Sequence, residues 1–144
     1  MIVKETKCKK DILAILNNDD IYNRMVSDDV DGKKPTVDFN SKRYICGYVD
    51  KKVIGVCIYH KIEAGSIIHF YVIPEHRKDY AKDFAVESLK LKSDTDVFAI
   101  TPLCYMPVVN FALKLGFERI GNHRKLFIKN GVAYEQAVTR LKNE

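Results

Sequence analysis

The sequence predicts an α/β (α+β) protein built on one mixed, mostly antiparallel twisted sheet with helices on both faces. Three observations predict it. A block of three closely linked β-rich runs fills the middle of the chain. Two helical stripes separated by a short apolar run follow it, and an Asn-Gly hairpin signal closes the pattern. At 144 residues the chain reads as a single domain, 1-144, large enough to bury a core without disulfide or metal support.

The first strand is expected at Ile2 to Thr6. A helix follows, with Ile12, Leu13, Ile15 and Leu16 as its apolar stripe, and Asn17 to Asp20 breaks it. A second short helix turns Ile21, Tyr22, Met25 and Val26 inward. Asp28 to Ser41, with Gly32, Pro35 and many charges, reads as an exposed, mobile loop. Arg43 to Val49, Lys52 to Ile62 and Ser66 to Ile73 are strands. Asp50-Lys51 and Ala64-Gly65 are the turns of an antiparallel meander. Pro74 stops the third of these strands, and a helix starts a few residues later. Its face is Ala81, Phe84, Ala85, Ser88 and Leu89, spaced i, i+3, i+4, i+7, i+8. Val97 to Ile100 is a buried strand, and Pro107 suits the first turn of another helix lined by Val108, Phe111, Ala112 and Leu115. Gly116 is its left-handed terminator. Phe117 to Lys129 and Val132 to Leu141 pair through Asn130-Gly131. The order is β-α-α-β-β-β-α-β-α-β-β.

Composition narrows the function class. The apolar runs fall short of the roughly 20 residues that span a bilayer, so no membrane segment is expected. Met1 to Lys10 carries four lysines and no apolar stretch, which excludes a signal peptide and points to the cytoplasm. Cys8, Cys46, Cys57 and Cys104 lack CxxC spacing and read as reduced thiols. His60, His76 and His123 lack metal-ligand spacing, so no metal is expected. The formal charge of +5 is spread along the chain, which argues against a nucleic-acid binder and fits an anionic cofactor or acidic partner equally well.

Three motifs carry a family resemblance. Tyr71-Val72-Ile73-Pro74-Glu75-His76-Arg77 is similar to the "V-x-P-x-x-R" exit from the fourth strand of GNAT N-acetyltransferases, and an amphipathic helix follows it. The third motif, Asn110 to Gly116-Phe117, resembles the "xxYxxxGF" end of the family's fourth helix. The resemblance covers Arg43 to Phe117 by motif and the remainder by topology. The run from Ile73 to Phe84 looks most like small GNAT-like proteins of tailed bacteriophages, which would place the protein in the host cytoplasm.

The resemblance implies a GNAT-like fold and transfer of acetyl from acetyl-CoA to a primary amine of a small molecule or protein. It also implies a splay of the fourth strand near Phe70 to Val72 for the pantetheine arm of coenzyme A. The cofactor would lie against Tyr71, Val72, Arg77, Lys78, Tyr80, Ala81, Lys82 and Asn110. Physically, a basic turn feeding a helix N-terminus offers free N–H groups and positive charge to a pyrophosphate. The chain departs from the family loop "Q/R-x-x-G-x-G/A", which starts at Arg77. Tyr80 and Lys82 stand at its two glycine positions, where glycine lets backbone approach phosphate. Tyr80 crowds that approach, Asp79 adds negative charge, and Lys82 restores some positive charge.

For the chemistry, His69 is the first choice of base, its unperturbed pKa being about 6.5. The alternative is a histidine packed in the sheet. Ala112 occupies the family's usual tyrosine position, which leaves Tyr105 as acid or as a packing residue. Asn110 either bonds the cofactor's amides or is a plain exposed position. The acidic start of the loop, Asp28, Asp29 and Asp31, either meets a cationic amine or is a solvated link. The sequence fits a monomer or homodimer, and a non-catalytic GNAT-fold phage protein with a binding or assembly role is the second reading.

Overall fold

The structure is a computed structural model that describes residues 1–30 and 32–144. Its elements are β1 (Ile2–Glu5), α1 (Lys9–Leu16), α2 (Asp19–Met25), β2 (Lys42–Val49), β3 (Lys52–Ile62), β4 (Gly65–Val72), α3 (Pro74–Leu89), β5 (Val97–Pro102), α4 (Met106–Lys114), β6 (Glu118–Lys129) and β7 (Val132–Leu141). One-turn 3-10 helices at Asp28–Val30 and Leu103–Tyr105 precede β2 and α4. The strands form one sheet in the order β1-β2-β3-β4-β5-β7-β6, antiparallel except where β4 meets β5.

Turn chemistry builds the meander. Asp50 and Lys51 both take positive φ, the two-residue hairpin geometry that matches strand twist, and so do Asn130 and Gly131. Gly65 is needed for a different reason. Its φ is +149°, and a Cβ there would lie 2.2 Å from the carbonyl oxygen of Asp96, so only glycine lets the chain entering β5 lie against the start of β4.

Each face of the sheet carries its own core. On one face Ile12, Ile15 and Leu16 of α1 and Ile21 of α2 pack on Tyr44, Cys46, Val56 and Ile58. On the other, Phe84 of α3 and Ala112 of α4 pack on Ile45, Cys57, Tyr59, Val72 and Val97, with Phe117 closing the cluster. Phe84 is fully buried because Gly47 and Gly55 sit opposite each other on β2 and β3. A Cβ on either would meet the Phe84 ring at 2.8 or 3.0 Å. Two missing side chains thus make the socket that seats α3. Cys46 is buried in the α1–α2 core and Cys57 in the α3–α4 core, and burial pushes both thiols up to about 12.

Four expectations are corrected. The break expected over Asn17 to Asp20 is narrower, Asn17 and Asn18 alone between α1 and α2: the Asn18 Oδ1 accepts from the N–H groups of Asp20 and Ile21, so Asp19 and Asp20 form the first turn of α2. In α4 the buried valine is Val109, while Val108 is 42% exposed. Val109 and Ala112 are the buried residues of α4, a spacing as helical as the one expected. The loop before β2 is pinned, with Val37 and Phe39 packed on the α1–α2 core and the Asp38 N–H donating to the Tyr44 hydroxyl. Finally, α3 begins at Pro74 itself, with consequences for the site. Of the expected acidic group Asp28, Asp29 and Asp31, the last lies outside the described residues.

Candidate functional site

β4 is paired along its whole length with β3, from Ile62↔Gly65 to Gly55↔Val72. On its other side it pairs with β5 only at Ser66↔Val97 and Ile67↔Phe98. β5 stays with β7 through Pro102↔Gln136, so from Ile68 onward the two central strands separate. The sheet therefore opens where the sequence reading expects a splay. Phe70 lines the opening on the α3–α4 face, its ring stacked 5.2 Å from Phe84 and 6.0 Å from Phe111. The β4 edge facing the gap presents backbone groups unused by the β5 ladder, a surface suited to an extended amide-bearing chain.

The phosphate half is built differently from the expectation. The segment Arg77 to Lys82 is not a turn but part of α3, which follows β4 after Ile73 alone. Pro74 at the first helical position pre-sets the backbone, and Arg77 through Lys82 contains no glycine to interrupt it.

Arg77 does not face outward. Its Nε donates to the Val72 carbonyl at 2.8 Å, and its guanidinium pairs with Asp20 at the start of α2. Arg24 pairs with the same carboxylate at 3.2 Å. Partial burial raises the Asp20 pKa, and the hydrogen bonds and charges of Arg77 and Arg24 outweigh it, leaving the carboxyl below its ordinary value. Sequence reasoning missed Asp20 and Arg24, because nothing local marks a partner 57 positions from Arg77.

His69 and Tyr71 lie on the opposite face of β4 from Phe70, their rings stacked at 6.5 Å. Burial first, and then the nearby Lys42 and His60 side chains, push His69 down to about 4, so its imidazole is neutral at physiological pH. Burial alone raises the Tyr71 phenol. Tyr105 ends the 3-10 turn before α4, with its ring edge-on to Phe127 at 6.0 Å and the Arg24 guanidinium 5.9 Å from its centroid. Burial and the neighbouring Cys104 thiol raise its pKa. The structure shows no contact between His69 and Tyr105.

The remaining expected residues scatter. Val72 is buried, and its carbonyl serves Arg77. Ala81 packs into the α3 core, Tyr80 leans on the His76 ring at 5.8 Å, and Lys78, Lys82 and Asn110 are exposed. A cleft of about 310 Å3 lined by Tyr22, Asn23, Val26, Asp28, Lys129 and Asn130 opens between α2 and the β6–β7 hairpin. No motif announces it. Among the described residues no group of three His, Cys, Asp or Glu could hold a metal ion, and no helix is long and apolar enough to cross a membrane.

No family model matches the chain, and no curated protein matches it in sequence. Solved structures do match it in shape. An N-acetyltransferase from Staphylococcus aureus Mu50 superposes with a TM-score of 0.79 at 16% identity, covering 99% of this chain and 98% of its own. The smu.2055 protein of Streptococcus mutans UA159 gives 0.78 at 15% identity, covering all of both chains. The spermidine N-acetyltransferase of Vibrio cholerae, solved with CoA and spermine, gives 0.75 at 15% identity over 99% of this chain and 95% of its own. At such identities shape is the shared property, and the shape is the GNAT fold.

Proposed function

We propose that the protein is an acetyl-CoA-dependent N-acetyltransferase that moves an acetyl group to a primary amine by direct attack. The observation that carries this reading is the two-pair β4–β5 ladder followed by separation of the strands. The gap suits an extended pantetheine arm, and the free β4 edge suits its amides. In the transfer, the amine nitrogen attacks the thioester carbonyl. A C–N bond forms, the C–S bond breaks, the amine gives up a proton and the departing sulfur takes one. A backbone N–H at the open β4 edge stabilises the carbonyl oxygen.

His69 is the base in this reading, a neutral imidazole able to take the amine's proton, directly or through water. Tyr105 is the acid, and a raised pKa keeps its phenol protonated, as a proton donor to a thiolate requires. The acceptor is a small-molecule or protein amine. The neighbour solved with CoA and spermine puts polyamines first among those to try. The protein acts in the cytoplasm, that of the host if a phage encodes it, as a monomer or homodimer.

The test is thiol release from acetyl-CoA across a panel of polyamines, amino acids and lysine peptides, with calorimetry beside it. Turnover that falls roughly a hundredfold in His69→Ala and Tyr105→Phe is expected. No heat from acetyl-CoA or CoA at millimolar concentration sinks the reading. A second reading, a non-catalytic GNAT-fold phage protein that binds or assembles, is favoured by one observation, the engagement of Arg77 by Asp20 and Val72. Acetyl transfer to any amine by the wild-type chain, lost in those variants, overturns it.

A further inference from the structure

We infer that the donor site grips the pantetheine arm and thioester of its donor and has no subsite for the nucleotide pyrophosphate. The protein therefore takes acyl-pantetheine thioesters with or without the adenosine nucleotide. This rests on the acyltransferase reading and adds the chemical class of donor.

Most of the groups that could hold a pyrophosphate at the end of β4 are missing or committed elsewhere. Helix N-termini bind anions through unpaired N–H groups and the positive end of the dipole. In α3 the first residue is Pro74, which has no N–H, and Glu75 places a carboxylate in the first turn. The His76 N–H already donates to the Ile73 carbonyl at 3.0 Å. From Lys78 onward the N–H groups lie inside the helix and are directed at carbonyls four residues back. The Arg77 guanidinium is held by Val72 and Asp20.

What remains is Lys78 and Lys82, both exposed and interleaved with Asp79 and Asp83. Mixed exposed charges of this kind contribute little to binding in water. The arm half is the reverse. The β4 edge beyond Ile67 is unused by β5, and two half-buried aromatic rings, Phe70 and Phe111, stacked at 6.0 Å, lie beside the gap on one face.

The experiment is a calorimetric comparison of CoA with pantetheine on the full chain, with acetyl-CoA and S-acetyl-pantetheine compared in turnover. The expected result is that the paired ligands agree within about tenfold in Kd and in kcat/KM. Affinity is also expected to change little between about 50 and about 500 mM salt, since no charge–charge contact is there to be screened. CoA binding more than tenfold tighter than pantetheine, with affinity falling steeply as salt rises, overturns the inference while leaving the acyltransferase reading standing. Failure of both ligands to bind overturns both.

Discussion

The first residues of β4 and the last have the same partner on one side and different surroundings on the other. Ser66 and Ile67 lie between β3 and β5, while Ile68 to Val72 have β3 alone. A backbone held on both sides has its hydrogen bonds satisfied. One held on a single side keeps a row of groups for another molecule. The same contrast recurs one element later in the opposite sense. There the helix N-terminus that phosphate would use has closed on itself, through Pro74, Glu75 and the inward-turned Arg77. In the donor site we propose, one half is left open by the sheet and the other is occupied by the chain's own groups.

That contrast can be broken or sharpened by mutation. The largest effect is expected from Phe84→Ala, which empties the socket between Gly47 and Gly55 and unseats α3. A loss of about 3–5 kcal/mol is expected in denaturant unfolding, with the opening walled by Phe70 losing its shape.

Next comes pH. The folded His69 pKa of about 4 lies below its ordinary value, so the unfolded chain takes a proton first as pH falls. Stability is fully present above about 6.5 and declines toward pH 4, by up to roughly 3 kcal/mol, and His69→Asn flattens that part of the curve. If His69 is the base, the acidic limb of kcat/KM lies near 4 and not near 6.5, which a pH profile checks.

Arg77→Ala leaves the Val72 carbonyl and the Asp20 carboxylate without their partner. About 1–2 kcal/mol is expected to be lost, read from the midpoint of thermal or denaturant unfolding. The Asp20 carboxyl is held below its ordinary pKa, so its contribution is present above about pH 4 and lost as pH falls through the depressed value. In Arg77→Ala that acid sensitivity diminishes. The smallest stability change, about 1 kcal/mol, is expected when glycine is restored in Tyr80→Gly/Lys82→Gly. Its informative readout is donor preference. Fraying the start of α3 frees N–H groups, so CoA gains affinity over pantetheine, and an unchanged ratio rejects the link between those positions and the closed helix end.

Local rules were legible wherever the deciding atoms are near in sequence. The Asn130-Gly131 hairpin, the Asp50-Lys51 turn and the Phe84–Ala85–Ser88 stripe all follow from a residue and its neighbours within one turn or pair. Val108 shows the margin of such reasoning. A period of 3.6 fits two neighbouring stripes, and only the tertiary packing selects Val109. The site was legible as a region but not as a set of contacts. His69 and Tyr105 carry chemistry that any reading would note, yet the burial that lowers one pKa and raises the other comes from side chains distant along the chain.

By itself, the sequence determined the element order, the meander and the absence of glycine at positions 80 and 82, because patterning, turn residues and identity are local properties. The tertiary structure decided where β4 and β5 part, that α3 starts at Pro74, and that Arg77 turns to Asp20. Those outcomes depend on which strand holds which edge and on which carboxylate reaches which guanidinium. Such pairings are settled by packing between segments tens of residues apart, and local pattern does not encode them.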